Sequence, residues 1–100
     1  MQEIMIKDVP KEERPRERLL SHGAEPLSNQ ELLSILIGSG TRDESVMSVA
    51  NRVLMHFEGL KLLRGATIEE LTSIKGIGTA KGLLILSAIE LGRRMHAYKS

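Results

Sequence analysis

Residues 71–91, LTSIKGIGTAKGLLILSAIEL, constrain the fold more than any other stretch of the chain. They read as a helix, a hairpin Lys75-Gly76-Ile77-Gly78, and a second helix. Two glycines around one apolar residue, between helical patterns, predict a tight reversal with at least one positive φ, placed here at Gly76. Ile77 is apolar between two glycines, so it is expected to plug inward and pin the hairpin to the core. A helix that starts after Gly78 leaves its first N–H groups without intrahelical partners. With the hairpin amides they make a small nest at a positive helix end, which suits an oxyanion. Lys75 and Lys81 flank it. The expected phosphate-binding set is therefore Lys75, Gly76, Gly78, Thr79 and Lys81.

These residues resemble the helix-hairpin-helix motif, in which apolar positions lead into Gly-apolar-Gly and a small residue follows. Leu71, Ile74, Gly76, Ile77 and Gly78 match, and Gly82 stands where that family has alanine. The resemblance implies a grip on DNA backbone that does not read sequence. A plain αα-hairpin with a glycine-rich turn is the structural alternative. Arg93 and Arg94 lie 12 and 13 residues beyond Lys81, roughly 18 Å along a helix axis. They are too remote for the same phosphate but suited to a wider footprint.

One hundred residues make one domain. Phe57 and Tyr98 are the only aromatics, so the core must be aliphatic and there is little on which to stack bases. That argues against single-strand or RNA recognition. Without cysteine there is neither a disulfide framework nor a thiolate metal site. His22, His56 and His96 have no ligand spacing, so neither a metal nor a cofactor is expected. No serine, histidine and carboxylate group visibly, and the chain is not expected to be an enzyme. No signal peptide and no apolar run long enough to span a bilayer is visible, so a cytoplasmic protein is expected.

Net charge is +1, little for a nucleic-acid binder. Its distribution is more informative. Residues 60–100 carry seven basic and three acidic residues, a net +4, whereas residues 1–59 carry seven and ten, a net −3. The positive half holds the hairpin.

Along the chain, residues 1–13 read as an arm, 14–95 as the helical domain and 96–100 as the start of a linker. Pro15 suits a helix start and Gly23 a stop. Arg14, Arg16 and Arg18 are expected to form a solvated face paired with Glu12, Glu13 and Glu17, more than a phosphate contact. Ser28 and Glu31 form a capping box for a helix ending at Gly38. Another helix starts near residues 43–45, with Val46, Val49, Ala50, Val53, Leu54 and Phe57 in a continuous stripe. Leu60 opens a short helical turn. Thr67 and Glu70 make a second capping box. The last helix is expected over residues 79–95. It is apolar nearly all round between Leu83 and Leu91, which predicts a place in the middle of the bundle.

A shift of 38 residues lays Glu31 on Glu69, Leu33 on Leu71, Leu36 on Ile74, Gly38 on Gly76, Gly40 on Gly78 and Thr41 on Thr79. The first copy lacks the plug, having Ser39 where the second has Ile77, and acids follow its hairpin. It reads as mainly structural. The fold class is all-α: a bundle of about five helices, SAM-like, with two hairpin units in tandem.

The strings Arg14-Pro15-Arg16-Glu17-Arg18-Leu19-Leu20, Gly23-Ala24, Leu27-Ser28, Glu31-Leu32-Leu33, Gly40-Thr41, Ser45-Val46, Glu70-Leu71 and Gly76-Ile77-Gly78 with Ala80-Lys81 resemble the N-terminal domain of bacterial RadC-type DNA repair proteins. The resemblance runs from about Lys7 to Arg94. It implies a helical domain that precedes a JAB/MPN metalloprotease-like domain with a His-x-His zinc motif, absent from this chain. The leading functional expectation is non-sequence-specific binding of duplex DNA backbone in DNA repair. The alternative is a protein-interaction or structural module that positions that missing domain.

Overall fold

The computed structural model describes residues 14–98; the expected arm over 1–13 and the last two residues of the expected linker lie outside the described residues. Six helices follow one another: α1 Pro15–His22, α2 Asn29–Ile37, α3 Val46–His56, α4 Leu60–Leu63, α5 Ile68–Thr72 and α6 Thr79–Ala97. No strand occurs among the described residues. The protein is all-α.

Local chemistry sets most of the boundaries. Pro15 occupies the first turn of α1, where its missing N–H costs nothing. The Ser28 hydroxyl accepts from the Glu31 N–H while Glu31 accepts from the Ser28 N–H, and Thr67 and Glu70 repeat the arrangement on α5. Ser45 caps α3 by accepting from the Ser48 N–H. α6 runs two residues past the expected end, so His96 and Ala97 are helical.

The predicted repeat is visible in the backbone. Gly38 after α2 has φ +89° and Gly76 after α5 has φ +98°, 38 residues apart. Leu33 and Leu71, also 38 apart, are both buried. The two capping serine and threonine residues are 39 apart, so α5 begins one residue later relative to its core leucine.

The centre of the molecule is α3, not α6. Val49, Ala50 and Val53 are fully enclosed, and Leu33, Ile37, Val46, Phe57, Leu63, Leu71, Ile74, Ile77 and Ile85 complete the cluster around them. In α6 only Gly82 and Ile85 are buried, whereas Leu83, Leu84 and Leu91 are exposed. The expectation of a central last helix fails because α6 packs on one side, mainly against α5 and α2. Its all-round apolarity is left facing solvent.

Candidate nucleic-acid interface

The second hairpin is built from the end of α5. The Ile74 N–H donates to the Leu71 carbonyl at 3.1 Å, and the Ile77 N–H donates to the Ile74 carbonyl at 3.0 Å. The turn then reverses through Gly76 at positive φ, a region that costs other residues roughly 1–2 kcal/mol. Space is short there as well: a Cβ on Gly76 would stand 2.9 Å from Val49 Cγ2. Ile77 points into the core at 4% exposure, so the plug seats the hairpin directly on α3.

Gly78 is the N-cap of α6 and offers no side chain, leaving this helix start without the hydroxyl cap that α2, α3 and α5 have. Gly78, Thr79 and Ala80 are exposed. The first N–H groups of a 19-residue helix therefore face solvent with the positive end of its dipole.

The first hairpin differs. Its Thr41 N–H donates to the Glu44 carbonyl at 3.0 Å. The Thr41 hydroxyl in turn accepts from the Asp43 and Glu44 N–H groups at 3.3 and 3.1 Å. This loop consumes its own amides. A cavity of about 470 Å³ lies beside it, bordered by Arg14, Arg16, Ser34, Ser39, Glu44 and Ser45.

The two expected lysines do not share a role. The Lys75 side chain is 76% exposed, with its ammonium 3.9 Å from Glu44 Oε1. Lys81, expected at the surface beside the second hairpin, reaches across the molecule instead. Its ammonium donates to the Ser39 carbonyl at 2.5 Å and lies 3.4 Å from that of Gly40. It ties the second unit to the first. Arg93 and Arg94 are exposed and both grip Glu90, whose carboxyl their hydrogen bonds hold down to about 2.

Two residues beneath the hairpin were not among the expected site residues. Arg52 Nη1 donates to the Lys75 carbonyl at 2.8 Å, and its other nitrogen pairs with Glu44. Glu44 is buried at 8% exposure and also accepts from the Ser48 hydroxyl at 3.3 Å. The Arg52 hydrogen bond lowers the Glu44 pKa; burial opposes it, and the charges of Arg52 and Lys75 reinforce it. Oε1 of Glu44 is buried without a hydrogen bond, and the exposed Lys75 ammonium 3.9 Å away adds only a minor share to the compensation that Arg52 supplies. The available sequence signal was the i, i+4 spacing of Ser48 and Arg52 on one face of α3, whereas Glu44 precedes the N-cap Ser45 and lies outside the helix. Arg18 of the arginine-rich start of α1 bonds Glu31 of α2; Glu12 and Glu13, two of the acids expected beside these arginines, lie outside the described residues.

These features define an all-α domain of two helix–hairpin–helix units, one closed on itself and one presenting an open helix end. Residues 6–83 match the family described as UPF0758 N-terminal, and the chain belongs to that family. It is 65% identical over 92 residues to a UPF0758 protein of Geobacillus thermodenitrificans, a match covering 92% of the chain and 41% of that relative. The UPF0758 protein YsxA of Bacillus subtilis is 55% identical over 93 residues, 93% of the chain and 40% of the relative. The chain thus spans about two fifths of the length of these curated relatives. No solved structure matches it. Among the described residues, no helix is long and apolar enough to cross a membrane.

Proposed function

We propose that this domain binds the backbone of duplex DNA in the cytoplasm, without sequence preference and without chemistry of its own. It would act as the N-terminal, helix-hairpin-helix part of a RadC-type DNA repair protein. The observation that carries the reading is the uncapped, exposed start of α6, whose N-cap Gly78 follows the exposed Lys75 by three residues. A phosphate oxygen placed there would accept from backbone N–H groups and draw on one exposed cation, which it shares with Glu44. Lys81 contributes by fixing the relation of the two units, while Arg93 and Arg94 bring charge already half-compensated by Glu90. One hairpin touches few phosphates, so affinity should be about 10⁻⁴ to 10⁻⁶ M near physiological salt.

The test is duplex binding by fluorescence anisotropy across a salt series. Wild type should bind unrelated sequences equally, and Lys75→Glu should weaken all of them and lower the salt slope by about one. An absence of binding at low salt, or a Lys75→Glu variant that binds as wild type, rejects the DNA reading.

A second reading, a protein-interaction module, is favoured by a different observation. Leu83, Leu84, Leu91 and Met95 of α6 are exposed, more contiguous apolar surface than a helix facing only water needs.

A further inference from the structure

A trans peptide points its carbonyl and its N–H in opposite directions. The peptide joining Lys75 to Gly76 is trans, since no cis bond occurs among the described residues. Its carbonyl accepts from Arg52 Nη1 at 2.8 Å. The Gly76 N–H, at the far edge of the same plane, is thereby turned away from the guanidinium. Neither it nor the Gly78 N–H donates to any acceptor among the described residues. A polar group in a half-buried turn that finds no partner inside takes one from outside.

Arg52 is itself held. It projects from α3 between the two hairpin units, and its Nη2 pairs with Glu44 from the loop of the first. Glu44 is buried and accepts in addition from the Ser48 hydroxyl at 3.3 Å. The planar fork of a guanidinium spans a carboxylate and a carbonyl at once, with its donors at fixed angles. Its charge is spent on the carboxylate and its geometry on the peptide. The Lys75 side chain leaves the same turn toward solvent, 76% exposed.

We propose that Arg52 is the positioning residue of the phosphate site: it locks the peptide between Lys75 and Gly76 so that the Gly76 N–H is presented to an incoming backbone phosphate. The proposal rests on the DNA reading for its ligand. Arg52 touches no phosphate in it and acts only through the peptide plane.

The test removes the pair together. Glu44→Gln combined with Arg52→Met deletes one charge of each sign and keeps the net charge at +1, so long-range attraction to DNA is unchanged. Anisotropy across a salt series should show this double variant binding unrelated duplexes about three- to tenfold more weakly than wild type, the worth of one well-aimed hydrogen bond. Its salt slope should equal that of wild type, and its helical circular dichroism should be unchanged at the assay temperature. The amide nitrogen shift responds to the hydrogen bond on the preceding carbonyl. In the nuclear magnetic resonance spectrum of the free chain the Gly76 amide should therefore move, while that of Leu33 in α2 stays. Affinity equal to wild type, or an unmoved Gly76 amide, overturns the positioning role. A salt slope lowered by about one overturns it too, because Arg52 would then contact phosphate directly. Wild type that binds no duplex at low salt rejects the DNA reading itself, a failure distinguishable from these because the Gly76 amide is read without DNA.

Discussion

Gly76 lies against Val49: a Cβ on the glycine would come 2.9 Å from Val49 Cγ2 and 3.1 Å from Cγ1. The hairpin therefore has no room for a side chain where it crosses α3, and its φ of +98° independently disfavours one. Val49 is fully enclosed and cannot swing aside without disturbing the core. Gly76→Val should cost about 2–4 kcal/mol, joining left-handed strain to overpacking. Urea unfolding measures it, and a midpoint equal to wild type would mean that the turn is not seated on Val49.

Ile77 separates the seating of the hairpin from its backbone geometry. It is buried among the core residues, so Ile77→Ala removes packed volume without altering the turn. The expected loss is on the order of 2–4 kcal/mol. A nearly neutral result would place the side chain at the surface and make it a candidate contact for a partner.

Lys75 and Lys81 should respond unequally to the same substitution. Lys81→Met keeps the apolar stem and deletes the ammonium that serves the Ser39 and Gly40 carbonyls. Loss of a charge-assisted hydrogen bond at a half-buried position should cost about 1 kcal/mol. Lys75→Met touches only an exposed cation 3.9 Å from its acid and should stay within about 0.5 kcal/mol of wild type. Thermal unfolding of the pair of variants checks the order, and equal stabilities would remove the strap role of Lys81.

Local signals in the sequence carried much of this structure. Both capping boxes, the stripe on α3 and the glycine at positive φ depend on neighbours within a few residues, and all stand where the spacing puts them. What could not be read was which apolar helix takes the centre. The run over residues 83–91, apolar nearly all round, makes α6 the candidate, yet a central position depends on how many elements surround a helix, and that is set by long-range packing. The same limit hid the reach of Lys81, whose acceptors lie 42 and 41 residues away in the other repeat. Arg52 was hidden for a related reason: its carbonyl acceptor, on Lys75, lies 23 residues on. Its carboxylate partner Glu44 precedes the N-cap of α3, outside the reach of a helical-spacing argument.

Glu44 should govern part of the acid unfolding. Its carboxyl is held below the ordinary 4.5, first by the Arg52 hydrogen bond, against the opposing effect of burial, then by the Arg52 charge, Ser48 and Lys75. A carboxyl that binds its proton less readily in the folded state than in the unfolded chain stabilises fully above the unfolded value. That contribution is lost as pH falls through 4.5 toward the folded value. Glu31 behaves likewise: burial pushes its pKa upward, but the Ser28 N–H and Arg18 outweigh it. Glu90, held down to about 2, loses its contribution over the interval from 4.5 to about 2. Glu44→Gln removes one group from this set. The variant should be less stable than wild type at neutral pH and should lose less further stability on acidification from about pH 5 to about pH 3. Denaturant unfolding at both pH values provides the comparison. If wild type and Glu44→Gln lose equal stability over that interval, the Arg52–Glu44 pair does not hold the carboxyl down.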